Sequence, residues 1–81
     1  MDKYIVMIKD SETGKFYYLN PIGDYLDILT EDLDKAPKFS CEELAVSAYK
    51  LFKNRIPKSY KAGIYVLEGY NWVCVNTLEG V

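Results

Sequence analysis

The side chains that most often perform chemistry in proteins are sparse in this sequence of 81 residues. It contains no histidine, which excludes an imidazole base and the usual nucleophile–histidine arrangements. Glu42 and Glu43 are adjacent, so a helix would separate them by about 100° and they would not share one substrate bond. The five glycines are scattered as turn residues and form no phosphate-binding loop. We therefore expect no catalytic residues and a protein that acts by binding.

Metal-ligand patterns are also missing from the sequence. Cys41 and Cys74 are far apart and match no zinc or redox motif. Asp10 and Glu12 could suggest a calcium loop, but the other ligands of that pattern are lacking. Turn chemistry explains Asp10 better, because Asp accepts hydrogen bonds from nearby backbone amides. We expect no metal, no cofactor and two buried, reduced cysteines, with a disulfide between them as the alternative.

Charge is distributed unevenly along a chain whose formal net charge is −2. Acidic residues concentrate in residues 24–34, and basic residues, interleaved with aromatic ones, concentrate in residues 50–61. Such a basic run can hold a nucleotide or a single strand, although cations at a helix C-terminus also serve the helix dipole. If the run binds an anion, the candidate residues are Arg55, Lys58 and Lys61. General nucleic-acid binding is not expected of an acidic chain.

Two hairpins and one helix must position these side chains. Residues 4–9 and 16–20 predict the first hairpin, and residues 63–67 and 72–76 predict the second. Residues 25–38 predict a packed loop with a little strand, and residues 41–54 predict a helix. The order β-β-(short element)-α-β-β predicts a single α+β domain over residues 1–81. Its sheet should be mainly antiparallel, with four or five strands and one helix on one face, ββ(β)αββ.

The helix has its own local signals. Ser40 is the expected N-cap, Glu43 completes a capping box, and Asn54 is a candidate left-handed C-cap. The residues expected to form the buried stripe recur at helical spacing: Leu44, Ala45, Ala48, Leu51 and Phe52.

The strands are apolar on both of their faces, which normally means that both faces are covered. One helix covers only one face, so the other should expose an aromatic patch, and such patches usually mark binding surfaces. The alternative is that twist and the loop at residues 21–38 bury the whole sheet. The candidate protein-binding residues are aromatic, with an acidic border: Tyr4, Tyr17, Tyr65, Tyr70, Trp72, Asp24, Asp27, Glu31 and Asp32.

Residues 32–45 carry a resemblance to a protein family. Ala36-x-x-Phe39 at a strand end, followed by a capped helix with Glu42-Glu43-x-Ala45, resembles a pattern in small uncharacterised proteins of phages and Gram-positive mobile elements. With the opening hairpin, the likeness covers the first two-thirds of the chain. It implies a small accessory protein, sometimes one that binds and disables a host factor such as a defence nuclease, and it carries over no functional residues.

These observations predict a non-enzymatic, phage-type accessory protein that binds and inhibits a host protein through an aromatic sheet face. A nucleotide- or nucleic-acid-binding module and a structural homo-oligomer, such as a homodimer, are the alternatives. The apolar run at residues 4–8 is too short for a signal segment, and no stretch approaches the roughly 20 apolar residues of a membrane span. We therefore expect a cytoplasmic protein with no membrane partner.

Overall fold

The structure is a computed structural model, and it describes residues 3–20 and 28–78. Its strands are β1 (Tyr4–Asp10), β2 (Phe16–Leu19), β3 (Leu29–Thr30), β4 (Tyr60–Glu68) and β5 (Asn71–Thr77), and its helix is α1 (Glu42–Phe52). Short 3-10 turns precede and follow the helix at Leu33–Lys35 and Lys53–Arg55.

All five strands form one sheet in the order β3-β2-β1-β4-β5, and every neighbouring pair is antiparallel. The predicted α+β class, with its two hairpins, five-stranded sheet and one helix, is confirmed. β1 is central because the two hairpins pair through it, with Val6 opposite Ile64. The chain before α1 also joins the sheet, since Tyr4 and Phe39 exchange two backbone hydrogen bonds of 2.9 and 2.8 Å.

The β1–β2 turn is held by the carboxylate of Asp10. The backbone N–H of Glu12 donates to Oδ1 at 2.9 Å, and the hydroxyl of Thr13 donates to Oδ2 at 3.0 Å. Gly14 takes the positive φ of 76° that the turn requires. These hydrogen bonds, the one from the backbone of Glu12 first, hold the pKa of Asp10 below its ordinary value of 3.8. The predicted turn chemistry of Asp10 is therefore confirmed.

The β4–β5 turn uses only two residues, Gly69 and Tyr70, between the paired Glu68 and Asn71. Gly69 has a φ of 62°, whereas no non-glycine residue among those described has a positive φ. This combination is that of a type II′ turn, whose twist matches that of the strands it joins.

The core lies between the sheet and α1. Ala45 is completely buried, and its small side chain lets the helix approach the strands closely. The buried side chains that surround it come from every strand region: Val6, Ile8, Leu19, Ile28, Ile56, Ile64 and Leu78.

The predicted stripe of α1 was partly wrong, because Leu44 and Leu51 are exposed. The helix turns Ala45 toward the sheet, which places Leu44 and Leu51 about 100° around its axis, on the outer side. Leu51 is 78% exposed. The residues that pack on the core beside Ala45 are Val46, Ala48, Tyr49 and Phe52.

The predicted helix caps were also wrong. Cys41, with an extended backbone (φ −149°, ψ 159°), occupies the N-cap position and makes no side-chain capping bond. Ser40 therefore lies one residue too early for the capping box, while Glu42 and Glu43 still lie in the first turn, where the dipole favours acids. At the other end the chain continues into the 3-10 turn, so Asn54 does not adopt a left-handed conformation.

Both cysteines are exposed and neither forms a disulfide, so the predicted burial was wrong. Cys41 lies at the surface because it begins the helix. Cys74 lies on the face of the sheet that α1 does not cover, in a strand at the edge of the sheet.

Candidate functional site

The face of the sheet opposite α1 carries apolar and aromatic side chains. Side chains alternate along each strand, and directly paired residues share a face. The core face holds Val6 and Ile8, so Met7 and its partner Tyr18 lie on the opposite face. The same alternation defines what we call the aromatic face, in which Ile5 is completely buried and the other side chains are partly or largely exposed: Ile5, Met7, Phe16, Tyr18, Tyr65, Leu67 and Trp72.

Several side chains of the aromatic face are open to solvent. Phe16 is 47% exposed and Leu67 is 38% exposed, although both are large and apolar. Lys9 borders the face, with its ammonium 5.6 Å from the ring centroid of Phe16, and Lys61 lies directly opposite Lys9. Cations at this border add a polar rim to an apolar centre, which is the arrangement of many protein interfaces.

A cavity of about 180 Å³ lies on this face toward the end that carries Phe16 and Lys9, and Gly63 is one of the residues that line it. The ring of Tyr65 lies over Gly63: a Cβ at position 63 would meet a ring carbon of Tyr65 at 3.2 Å. It would also lie 3.3 Å from the carbonyl oxygen of Asn76 and 3.5 Å from the sulfur of Cys74. The cavity is smaller than the roughly 300 Å³ at which small-molecule sites begin, and suits a side chain of a partner better.

The polar groups around this cavity include the lysines Lys9 and Lys61 as well as the hydroxyl of Tyr65 and the thiol of Cys74. Burial, and next the neighbouring thiol of Cys74, raise the pKa of Tyr65 above its ordinary value of 10.0. The thiol of Cys74 donates to the carbonyl of Asn76 at 3.6 Å. This part of the face therefore combines a hydroxyl and a thiol group with the side chains of two lysines.

The structure brings together only some of the predicted aromatic residues. Tyr65 and Trp72 lie on the aromatic face, and Tyr70 is fully exposed in the β4–β5 turn at its end. Tyr4 and Tyr17 lie on the other face and pack against the core, so placing them in this surface was wrong. Tyr17 stacks on Tyr60 at a centroid distance of 6.0 Å, since both lie on the core face, in the strands on either side of β1.

The predicted acidic border is divided. Glu31 forms a salt bridge with Lys15, and Asp32 accepts a 3.0 Å hydrogen bond from the backbone N–H of Asp34 at the first 3-10 turn. Both acids are exposed and follow β3, at the far edge of the sheet from β5. Asp24 and Asp27 lie outside the described residues.

Sequence reasoning missed Phe16, Tyr18 and Leu67 as members of the aromatic face. The hairpin register assigns the residues of β2 to the two faces. Because Phe16 pairs with Lys9, it lies on the same face as Met7, whereas Tyr17 lies on the opposite face. Without the register, the aromatic residues of β2 could not be divided between the two faces.

The predicted basic residues contribute to a second concavity, which we call the basic cleft. Lys58 and Lys61 line it together with Lys53, while Arg55 lies outside its lining. Its volume is about 650 Å³, and Tyr49 and Tyr60 form part of its wall. Burial, and next the charge of Asp10, raise the pKa of Tyr60 above its ordinary 10.0, so the Tyr60 hydroxyl stays neutral.

Two further findings concern the part of the chain that the structure describes. Across residues 3–20 and 28–78, no helix is long and apolar enough to cross a membrane, and no group of three or more Cys, Asp or Glu side chains could hold a metal ion. Comparison with known proteins gives no relative: no family model, curated protein or solved structure matches this chain.

Proposed function

We propose that this protein is a non-enzymatic binding module that contacts a protein partner through the aromatic face. The observation that carries the proposal is the exposure of Phe16, beside the cavity that Gly63 lines, and of Leu67, toward the other end of the same face, which lies opposite the helix. Large apolar side chains exposed on one face of a sheet, with polar residues at its border, are a usual mark of an interaction site. Aromatic side chains contribute disproportionately to such sites, because they bring large area with few rotatable bonds.

The resemblance to small proteins of phages and mobile elements supports a host protein as the partner. On that basis the protein acts in the cytoplasm of the host cell, where it occupies a surface of its target and inhibits it. The cavity receives one side chain of the target, and Lys9 and Lys61 at the rim favour an acidic surround on that partner.

Affinity capture with matched variants tests this proposal. The tagged protein is expected to retain a stoichiometric host protein from a nuclease-treated bacterial lysate, and Phe16→Glu with Leu67→Glu should abolish retention. Leu44→Glu with Leu51→Glu is the control, because it places the same two charges on exposed apolar residues of α1. Circular dichroism should show that all variants are folded. Equal retention by the face variant and the control would refute the proposal.

A second candidate function rests on the basic cleft. Its volume of about 650 Å³ lies within the range of small-ligand sites, and three lysines beside two tyrosines suit a nucleotide or another anionic ring compound. The C-terminal end of α1 lies next to the cleft, and the negative end of its dipole weakens anion binding there. This opposing effect makes the cleft the second candidate.

Salt-dependent binding distinguishes this second function. Titration with ATP, as a probe of nucleotide binding, should give an affinity that falls as salt rises and that is lost in Lys58→Glu with Lys61→Glu. Binding that is unchanged in this double variant would exclude the cleft.

A further inference from the structure

The edge strand β5 has the features of a strand that pairs with another chain. It lies at the end of the sheet, and among the described residues only β4 pairs with it. Its seven residues, Asn71–Thr77, include no charged residue and no proline. Val73 and Val75 are 38% and 42% exposed. Sheets usually protect an exposed edge with charge, proline, a β-bulge or a very short strand. β5 has no charge and no proline and is not short, and its bulge lies near its end, at Val75.

The outer side of β5 presents backbone groups that β4 does not use. The N–H of Leu67 donates to the carbonyl of Lys3, next to β1, at 3.4 Å, so the backbone groups of Leu67 point away from β5. Leu67 and Trp72 therefore form a non-hydrogen-bonded pair, and the N–H and C=O of Trp72 point outward. The same alternation turns the backbone groups of Cys74 outward.

A β-bulge limits how much of this edge can pair regularly. The register between β4 and β5 shifts at Ile64 and Tyr65, so that Tyr65 pairs with Cys74 and Ile64 pairs with Asn76, with Val75 as the extra residue. Regular pairing on the outer side is thus confined to the part of β5 before the bulge. This part contains both outward-facing residues, Trp72 and Cys74.

We propose that β5 pairs antiparallel with β5 of a second copy of this chain, with Val73 on the two-fold axis. In this register Trp72 lies opposite Cys74 of the second copy, so both outward-facing residues find outward-facing partners. Registers centred on Trp72 or Cys74 instead match one of them with the turn or with a residue beyond the bulge. Val73 lies opposite its own equivalent as a non-hydrogen-bonded pair, in which side chains approach closely.

Self-pairing is also the arrangement that the composition of β5 favours. A strand without charge brings no like charges into opposition when it meets its own copy, and like charges directly opposite destabilise a pair. Because β5 has no charge, it also cannot select a foreign strand by electrostatic attraction. The dimer joins two sheets into one and leaves the aromatic face of each copy available, so this inference does not depend on the proposed function.

Measurement of the molar mass against concentration tests the dimer. The wild-type protein is expected to dimerise as its concentration rises, and Val73→Lys should weaken self-association roughly 100-fold, because two ammonium groups meet on the axis. Leu51→Lys, on α1, should leave the dimer unchanged. A monomeric mass for the wild type at every concentration, or equal loss of the dimer in both variants, would overturn the proposal.

Disulfide trapping tests the register with an uncharged cysteine substitution, which is not expected to unfold the protein. In a Cys41→Ser and Cys74→Ser background, Val73→Cys should form an intermolecular disulfide on mild oxidation. The Cα atoms of a non-hydrogen-bonded pair are about 4.5 Å apart, within the range that disulfides accept. Leu51→Cys is the control for random collision, since its side chain is even more exposed. Cross-linking at Val73 that is no faster than at Leu51 would overturn the proposed pairing.

Discussion

The two edges of the sheet are built in opposite ways. At one edge, β3 has only two residues, and the chain then leaves the sheet through Glu31, which is paired with Lys15, and Asp32. At the other edge, β5 has seven residues and carries no charge. A short strand flanked by charge discourages a further strand from adding, whereas a longer uncharged strand accepts one.

This difference is the basis of the proposed pairing through β5. β3 follows the protective pattern, while β5 exposes Val73 and Val75 and directs outward the backbone groups that β4 does not use. The aromatic face continues to this same edge, because Trp72 lies on it and belongs to β5. Three exposed apolar side chains, Leu67, Val73 and Val75, therefore lie in β5 or in the neighbouring β4.

The largest expected effect is a difference in the free energy of unfolding between a variant near one edge, where the side chain is buried in the core, and a variant at the other edge, where it is exposed. Leu19 in β2, next to β3, is buried among core residues, so Leu19→Ala should lower the free energy of unfolding by about 2–5 kcal/mol. Val73→Ala at the opposite edge should lower it by less than about 1 kcal/mol, because Val73 is already partly exposed. Urea denaturation of the two variants, at a protein concentration at which both are monomeric, measures the contrast. Equal losses would show that β5 is held in the core as firmly as β2.

The next effect concerns the turn that sets the position of β5. Gly69→Ala should lower the free energy of unfolding by about 1–2 kcal/mol, because its φ of 62° is unfavourable for a residue with a Cβ. No atom outside the turn lies within 4 Å of that added Cβ, so the loss reports backbone strain alone. Gly69→Asn is the control, since Asn tolerates this conformation better, and it should lose less. Equal losses for Ala and Asn would contradict this explanation.

The two hairpins should also differ in their response to acid. The pKa of Asp10 is lower in the folded protein than its ordinary 3.8, so the unfolded chain binds the proton more tightly. The stabilisation from the Asp10 carboxylate is therefore fully present above the ordinary pKa of 3.8. It is lost as the pH falls through the lower pKa of the folded state. Urea midpoints at about pH 7 and about pH 3 should therefore differ less in Asp10→Asn than in the wild type.

In the β4–β5 turn, which has no such carboxylate interaction among the described contacts, Glu68→Gln provides the matched control. It should leave the difference between the two midpoints as in the wild type. An identical acid response in wild type and Asp10→Asn would contradict the role given to Asp10.

The sequence predicted the elements of this fold well because its signals were local. Apolar periodicity located both hairpins and the helix, and Asp10 with Gly14 located the first turn. The orientation of α1 about its own axis, by contrast, depends on how the helix packs against the sheet and not on local sequence alone. The sequence pattern favoured Leu44 and Leu51 as the buried stripe, but close approach to the sheet favours the smaller Ala45.

The candidate surfaces depended still more on long-range pairing. The presence of an exposed apolar face followed from strands that are apolar on both sides and from the single helix. Which aromatic residues lie there depends on the register between β1 and β2, which sends Phe16 to one face and Tyr17 to the other. The free edge could not be identified from the sequence either, because strand order is decided by packing between distant segments.

The smallest expected effect on stability concerns the protected edge. Lys15 and Glu31 are both more than half exposed, so their salt bridge should contribute little, and Lys15→Thr with Glu31→Thr should leave the urea midpoint unchanged within error. Removing these charges should nevertheless make β3 more like β5, so the double variant is expected to scatter more light than the wild type at high concentration. Lys35→Thr, which removes an exposed charge from the neighbouring 3-10 turn rather than from the strand, is the control. If light scattering is the same in all three proteins, the shortness of β3 is sufficient to protect this edge, and the charges beside it have no such role.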